Sequence, residues 1–269
     1  MIRDITIGQY YRTESPIHRL DPRVKLAGTL LFIISLFVYS KPAGYVTAFL
    51  FLVFVILVSK VPLRFILRGL KPLLLLIGIT VFFNLFWTPG EAALKIWKLT
   101  VTWEGIQSAV LLGARFVMLI IGSTIMTLTT TPTKLTDGIE CMLKPFRLIK
   151  VPAHEIAMMM SIALRFIPIL LEETDKIMKA QQARCADFES GNIVKRAKNL
   201  LPILIPLFVS AFRRANDLAM AMEARCYRGG EGRTRMKPLQ YQRRDYTAYL
   251  ILLLYLVVNA VVCFVLTAD

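Results

Sequence analysis

The sequence contains no motif for binding nucleotides or for covalent catalysis. It lacks a Gly-x-x-x-x-Gly-Lys-Ser/Thr loop, and its Gly-Gly-Glu-Gly stretch at 229–232 has neither the lysine nor the hydroxyl that such a loop needs to hold phosphates. We also find no convergent set of acid, base and nucleophile. We therefore expect that the chain is not an enzyme and binds no ATP or other cofactor directly.

Residues that bind metals or form disulfides are scarce. The chain has two histidines and four cysteines among 269 residues. His18 and His154 lie far apart in sequence, and the four cysteines show no Cys-x-x-Cys spacing. The sequence therefore predicts no metal site and no disulfide framework, and the cysteines are expected to be reduced thiols.

Acidic residues are also few, and apolar residues are abundant. There are 18 Asp and Glu residues against 33 Lys and Arg, and 56% of the residues are hydrophobic. This composition is typical of a membrane protein rather than a soluble domain of the same length. The first 25 residues are polar and contain five basic residues, which does not fit a secretory signal. The N-terminus is expected to stay in the cytoplasm.

Five apolar segments are long enough to be predicted membrane spans, since about 20 residues cross about 30 Å of hydrocarbon. Prolines mark their limits: Asp21-Pro22, Pro42 and Pro72 are typical of helix starts, and Pro132 follows the fourth span. The predicted spans are 24–40, 42–59, 71–87, 105–130 and 246–266.

Lys and Arg residues concentrate in alternate loops. Five lie in residues 1–25, four in 60–71 and twenty in 131–245, against three in the two loops between. The positive-inside rule then places these three basic segments in the cytoplasm and the C-terminus outside the cell membrane. The net charge of +15 follows from this topology, so a nucleic-acid partner is not expected.

These limits predict an all-α integral membrane protein in three parts. Residues 1–131 form an N-terminal transmembrane domain with four spans, 132–245 form a cytoplasmic helical domain, and 246–269 form a C-terminal transmembrane helix. Within the cytoplasmic domain, residues 153–187 contain no glycine, and apolar residues at helical spacing predict an amphipathic helix that lies along or below the membrane. If residues 156–171 and 200–212 also crossed the bilayer, the chain would have seven spans. Five spans is our preferred count.

A six-residue phrase occurs twice within the cytoplasmic domain. It reads Ala-Gln-Gln-Ala-Arg-Cys at 180–185 and Ala-Met-Glu-Ala-Arg-Cys at 221–226. Each copy ends a predicted helix with one Arg among small residues, where a planar charged group can meet a facing protein. A single such Arg is also typical of any helix C-terminus, where the helix dipole favours it. The duplication favours two matching partners, contacted through Ala183, Arg184, Cys185, Ala224, Arg225 and Cys226.

Four further motifs complete a pattern that runs nearly end to end. They are Ser-Pro-Ile-His-Arg-Leu-Asp-Pro-Arg-Val-Lys at 15–25, Thr-Lys-Leu-Thr-Asp-Gly at 133–138, Ala-Leu-Arg-Phe-Ile-Pro at 163–168 and Arg-Arg-Ala-Asn-Asp-Leu at 213–218. With the duplicated phrase, this order resembles the transmembrane T component of energy-coupling factor transporters.

The resemblance implies a function in a complex. These transporters are ABC-type importers in which two cytoplasmic ATPases, a T component and a substrate-binding membrane S component take up vitamins or transition-metal ions. In the family, two long coupling helices each end in an Ala-Arg-Gly-like motif that docks on an ATPase. Both motifs read Ala-Arg-Cys here, although glycine adopts a left-handed helix end more readily than cysteine.

Three residues outside the duplicated phrase are further candidates. Arg165 and Pro168 interrupt an apolar helix and are candidates for a hinge, although Arg165 is equally typical of a snorkelling residue at a membrane interface. Arg115 lies inside the fourth predicted span, where it has either a functional role or a structural pairing with Asn84 in the third span.

Another class of function remains open on sequence grounds: a self-sufficient permease or channel with a basic cytoplasmic regulatory region. Such a protein needs substrate-binding groups at mid-membrane depth. The predicted spans offer few of them, chiefly Asn84, Arg115 and Asn259. The coupling function is therefore the preferred prediction.

Overall fold

The computed structural model describes residues 10–38, 41–89, 92–96, 99–145, 152–186, 188, 193–230 and 238–268. Helices account for most of this part of the chain, which confirms the predicted all-α class. Nine α-helices are described in it: α1 Pro22–Val38, α2 Pro42–Ser59, α3 Leu63–Leu70, α4 Leu74–Trp87, α5 Trp103–Thr129, α6 Pro132–Leu143, α7 Ala153–Ala183, α8 Ile193–Ala224 and α9 Arg243–Ala268.

The helices belong to two compact units. The first unit comprises residues 1–7 and 143–237 and contains α7 and α8. The second unit comprises residues 8–142 and 238–269 and contains α1 to α5, nearly all of α6, and α9. The two units are defined by contacts within the chain. The predicted boundaries at 131 and 245 are defined differently, by where the chain is expected to leave the membrane. By packing, α6 thus belongs with the apolar helices of the second unit, and the predicted membrane boundaries remain a prediction.

Proline and aspartate start the helices where the sequence predicts. Helix α1 begins at Pro22, and the Asp21 carboxylate accepts a hydrogen bond from the backbone N–H of Arg23 at 2.9 Å. Helices α2 and α6 begin at Pro42 and Pro132. Proline fits the first helical position because the N–H that it lacks has no partner there in any helix.

The predicted third span begins earlier than expected. Residues 60–71 were expected to form a loop, but α3 covers Leu63–Leu70 and a 3-10 turn, Lys71–Leu73, joins it to α4. Pro72 lies inside that turn and does not start the helix. The apolar helical stretch therefore runs over Leu63–Trp87, 25 residues.

Five helical stretches of the described chain are long and apolar enough to cross a membrane. Four of them overlap the predicted spans. The predicted span 24–40 is not among them: its described part, α1, has 17 residues, and residues 39 and 40 lie outside the described residues. Helix α7, with 31 residues, is in the set. The predicted number of five is thus confirmed for helices that could cross by length and composition, whereas the positions of α1 and α7 relative to the bilayer stay predictions. Of the two further crossings in the seven-span alternative, 156–171 lies in α7, which is in this set, and 200–212 lies in α8, which is not.

A short β-hairpin separates α4 from α5, which the sequence did not predict. Strands β1, Ala92–Ile96, and β2, Leu99–Thr102, are antiparallel, with Lys95 opposite Thr100. Thr102 then caps α5, since its Oγ1 accepts from the Gly105 N–H at 3.1 Å and donates to the Thr88 carbonyl at 2.9 Å. This pair of bonds fixes the start of α5 against the end of α4.

Helix α5 is central to the second unit, because α1, α2, α3 and α4 all pack against it. Gly122 of α5 allows close contact with α1, since a Cβ atom there would lie 3.0 Å from the Phe32 ring. The main cluster of buried side chains comes from α1, α2, α5 and α9. Its members are Phe32, Leu36, Tyr45, Ala48, Leu52, Met118, Leu252 and Tyr255.

Helix α6 packs against the start of α1 through a glycine. A Cβ atom placed on Gly138 would lie 2.9 Å from Leu26 Cδ1 and 3.2 Å from Pro22 Cβ. These distances leave no room for a larger side chain without movement of α1. The sequence motifs at 15–25 and 133–138 are therefore in direct contact in the folded chain.

We predict that Gly138→Leu lowers the free energy of unfolding by about 1–3 kcal/mol, because the added side chain overpacks the α1–α6 contact. The matched control is Gly78→Leu in α4, where nothing lies within 4 Å of an added Cβ atom. Thermal unfolding of the two purified variants in detergent measures the difference. Equal melting temperatures would show that the contact is unimportant.

Candidate functional site

Helices α7 and α8 of the first unit pack side by side and antiparallel. Near the C-terminus of α7, Gln181 Nε2 donates to the carbonyl of Pro202 at 3.4 Å. Eight residues earlier in α7, Glu173 forms an ion pair of 3.0 Å with Arg214, which is twelve residues later in α8. An earlier residue of α7 thus pairs with a later residue of α8, so the two helices are antiparallel.

This register separates the two copies of the duplicated phrase. Arg184 follows the end of α7, and Arg225 follows the end of α8. Residues 158–162 of α7 lie opposite Arg225 in this register, so the two ends are about 33–39 Å apart along the helix axis at about 1.5 Å per residue. Consistent with this, Gly230 beyond α8 packs against the ring of His154 at the start of α7.

Helix α7 ends in a Schellman motif. The Cys185 N–H donates to the Gln182 carbonyl at 2.9 Å, and the Ala186 N–H donates to the Gln181 carbonyl at 3.0 Å. Cys185 has a φ of 61°, in the left-handed region that glycine usually occupies at this position. Arg184 is the last residue before this reversal. The helix thus ends at Ala183, and the predicted coupling arginine is its C-cap residue.

Helix α8 ends with the same geometry. The Cys226 N–H donates to the Glu223 carbonyl at 2.8 Å, the Tyr227 N–H donates to the Met222 carbonyl at 3.0 Å, and Cys226 has a φ of 55°. The two copies of the repeated sequence therefore have the same structure. Cysteine replaces glycine at both left-handed positions without changing the motif, although the Cβ atom makes this conformation cost roughly 1–2 kcal/mol.

Both arginines are exposed on the surface of the first unit. Neither guanidinium forms a hydrogen bond or ion pair with another residue in the described part of the chain. The neighbouring residues of each motif are exposed as well: Ala183, Cys185, Ala224 and Cys226. Each helix end therefore presents a planar cation, flanked by small side chains that allow close approach of another protein.

The candidate hinge lies inside continuous helix. Pro168 is within α7, and Pro202 and Pro206 are within α8. Each proline lacks the N–H that would bond to the carbonyl four residues earlier, which weakens the helix locally. Arg165 is exposed on the turn before Pro168. The hinge role of Arg165 and Pro168 stays a prediction.

Arg115 has a structural partner in the second unit, and that partner is not Asn84. Arg115 Nε donates to the Tyr45 hydroxyl at 2.7 Å, and its guanidinium lies 5.5 Å from the centroids of both the Tyr45 and Phe37 rings. The Oδ1 atom of Asn84 accepts instead from Thr88 Oγ1 in the next turn. The proposed pairing of Arg115 with Asn84 is therefore wrong, because the guanidinium donates to Tyr45 of α2 and Asn84 bonds to Thr88.

The sequence did not predict a buried polar contact that joins the 15–25 motif to α9. Asp245 is 2% exposed, and its two carboxylate oxygens accept from the backbone N–H groups of Asp21, at 2.9 Å, and Gln242, at 2.8 Å. The bond to Gln242 caps the start of α9. An acidic residue in the first turn of a helix was the only local signal, and it gave no indication of Asp21 as partner.

Lys25 and His18 extend this polar cluster. Lys25 Nζ donates to the carbonyls of Thr129, at 2.8 Å, and His18, at 3.3 Å. The His18 ring lies between Ser15 Oγ, 2.7 Å from Nδ1, and the Tyr11 carbonyl, 3.0 Å from Nε2. Since a carbonyl can only accept, Nε2 carries the proton and Nδ1 accepts from the serine.

This environment favours the neutral imidazole. Burial lowers the pKa of His18 below its ordinary value of 6.5, the bond to the Tyr11 carbonyl opposes that change, and the charges of Lys25 and Lys134 lower the pKa further. A second proton would also displace the hydrogen bond that Ser15 donates. The cluster is therefore built around an uncharged His18.

The fold and these sites define a multi-pass helical membrane protein with two long antiparallel helices that end in exposed arginines. The family model for cobalt transport proteins, CbiQ, matches residues 13–236. The chain is 57% identical over 252 residues to the energy-coupling factor transporter transmembrane protein EcfT of Clostridium kluyveri, with 93% of each chain covered. It is 54% identical to that of Thermosediminibacter oceani, covering 93% and 94% of the two chains, and 45% identical to that of Listeria innocua, covering 91% and 93%.

The chain therefore belongs to the EcfT family of energy-coupling factor transporter transmembrane proteins. This confirms the resemblance seen in its sequence motifs. It is a transmembrane component of a transporter, and membership of this family implies partner subunits.

The left-handed conformation of Cys185 predicts that two substitutions at this position have opposite effects on the stability of the α7 end. Cys185→Gly should stabilise the end of α7 by about 1 kcal/mol, because the Cβ cost of the left-handed conformation disappears, and Cys185→Val should destabilise it. Hydrogen exchange at the amides of Cys185 and Ala186 measures the cap directly. In the control Cys141→Gly, inside α6, glycine should instead destabilise, by about 0.3 kcal/mol on helix propensity. Faster exchange in Cys185→Gly would contradict the assigned cap.

The neutral His18 gives a prediction about acid stability. Below about pH 6.5 the unfolded chain takes up a proton on this residue while the folded chain does not, so stability falls as the pH falls through this range toward the lowered pKa. The melting temperature in detergent should fall accordingly. His18→Gln should reduce this dependence, whereas His154→Gln should leave the His18 contribution in place. An unchanged pH profile in His18→Gln would refute the assignment.

Proposed function

We propose that this chain is the coupling subunit of an energy-coupling factor importer. Two cytoplasmic ABC-type ATPases dock on the α7 and α8 ends at Arg184 and Arg225, and their ATP-driven motion passes to a membrane-embedded substrate-binding S component. The observation that carries the proposal is the repeated helix end, with the same six-residue pattern, hydrogen bonds and left-handed cysteine in both copies. Family membership supports the same function.

The separation of the two ends supports two docking sites rather than one. About 33–39 Å along the helix axis exceeds the roughly 30 Å diameter of a small domain. One small domain therefore does not span both ends, whereas a pair of ATPase subunits supplies one binding surface for each. In this arrangement each arginine inserts between carboxylates of its ATPase. Removal of one such buried charge typically costs about 2–5 kcal/mol.

The α7–α8 pair then acts as the moving part. Closure of the ATPases around ATP displaces the two helix ends, and the prolines at 168, 202 and 206 are where the helices bend. ATP binds and is hydrolysed in the partner subunits, and this chain supplies no cofactor site. In the proposed topology α1 is a span and α7 lies along the cytoplasmic surface of the membrane. The N-terminus and the first unit then face the cytoplasm, and the C-terminus lies outside. The S component selects the vitamin or transition-metal ion.

The alternative of a self-sufficient permease gains no support from the polar residues of the second unit. Arg115 is bound to the Tyr45 hydroxyl, and the Asn259 amide donates to the Gly44 carbonyl at 3.3 Å. Asn259 is 1% exposed. These groups stabilise contacts between helices and do not line a substrate path.

The test is co-purification with the ATPases from native membranes. We predict that Arg184→Ala and Arg225→Ala each weaken ATPase binding at least about 30-fold, the equivalent of about 2 kcal/mol, and that the double variant assembles no complex. The matched control is Lys176→Ala with Lys198→Ala, which removes two exposed positive charges from the same two helices.

Transport in proteoliposomes completes the test. The wild-type chain should import solute only together with ATPases and an S component, and the double arginine variant should not. Wild-type assembly and uptake by the double variant would remove the basis of the proposal. Uptake by the chain alone would favour the permease.

A further inference from the structure

A groove of about 260 Å³ opens within the second unit, between α1, α2, α5 and α9. Its inner walls are apolar, formed among others by Phe32, Phe51, Leu52, Ile125 and Leu252. Gly28 also lines it, and the nearest side-chain atom to a Cβ atom placed there, Leu252 Cδ1, is 4.0 Å away. The absent side chain of Gly28 therefore leaves space in the groove.

One end of the groove carries positive charge. Lys25, in the first turn of α1, and Arg244, in the first turn of α9, both line it, together with Thr129 at the end of α5. The apolar residues Phe32 and Leu252 lie two turns farther along α1 and α9. The groove thus changes from cationic to apolar along its length, as the headgroup and acyl regions of a lipid do.

The two basic side chains form hydrogen bonds within the chain and keep further donors. Arg244 donates through Nε to Gln242 Oε1 at 2.8 Å and through a terminal nitrogen to the same oxygen, which leaves three of its five N–H groups. Lys25 donates two of its three N–H groups to carbonyls. The neighbouring Asp245 is buried and already accepts two backbone N–H groups.

We propose that this groove binds an anionic phospholipid, with one acyl chain against the apolar walls and the phosphate at Arg244, close to Lys25. In the topology proposed above, this end of the helices faces the cytoplasmic leaflet, where anionic lipids provide such headgroups. The lipid bridges four helices beside the Asp21–Asp245 contact and so stabilises the second unit. This site is independent of the ATPase-docking ends of α7 and α8.

The experiment compares lipids of one acyl composition on the purified full chain. Native mass spectrometry and thermal unfolding in detergent are measured with phosphatidylglycerol, with phosphatidylcholine and with inorganic phosphate. We expect phosphatidylglycerol to be retained and to raise the melting temperature, phosphatidylcholine to do so at least about tenfold more weakly, and phosphate to have no effect.

Two variants separate the headgroup and the acyl parts of the site. Arg244→Gln should reduce retention of phosphatidylglycerol to the level of phosphatidylcholine, whereas Arg243→Gln, which changes the neighbouring exposed arginine outside the groove, should not. Gly28→Leu keeps the charges but fills the groove, and should reduce retention of both lipids.

Three outcomes would overturn the headgroup part of the proposal. They are equal retention of the two lipids by the wild-type chain, equal effects of Arg244→Gln and Arg243→Gln, and stabilisation by inorganic phosphate as large as that by phosphatidylglycerol. The last would indicate a site for a free anion. Unchanged lipid retention in Gly28→Leu would also exclude this groove as the acyl site. None of these outcomes depends on ATPase binding, so the lipid site and the coupling function are tested separately.

Discussion

The antiparallel alignment of α7 and α8 is the constraint on which the candidate site depends. It places two helix C-termini, each with its own arginine, at opposite ends of one unit. The Glu173–Arg214 ion pair lies within this contact, with side chains that are 26% and 40% exposed. Partly exposed pairs of this kind contribute only about 0.2–1 kcal/mol. We infer that the pair contributes to the choice of register rather than to most of the stability.

The two helix ends show how the backbone prepares a contact surface. A Schellman motif satisfies the last carbonyls of a helix internally and turns the chain away from the axis. The arginine at this point therefore need not bond to its own helix end, and its side chain remains available to a partner. Cysteine at the left-handed position makes this geometry more costly than glycine would. Its adoption at both Cys185 and Cys226 indicates that the surrounding hydrogen bonds determine the conformation.

Buried polar groups in the second unit likewise form their hydrogen bonds within the protein. Arg115 donates to Tyr45 within an otherwise apolar helix bundle, and both oxygens of Asp245 accept backbone N–H groups. An unpaired polar group in such surroundings would be costly, so these pairings hold particular helices together. Asp245 connects α9 to the segment before α1, although the two are more than 200 residues apart in sequence.

Local features of the sequence determined the helical membrane class, the helix starts at Pro22, Pro42 and Pro132, the number of apolar helices and the repeated arginine phrase. Each of these depends on hydropathy, on proline geometry or on residues within one turn of each other. Tertiary structure alone decided that Asp245 of α9 meets the segment before α1, and that Arg115 meets Tyr45 rather than Asn84. It also decided the distance between Arg184 and Arg225. These properties depend on contacts between segments distant in the chain, whose pairing no local pattern of residues specifies.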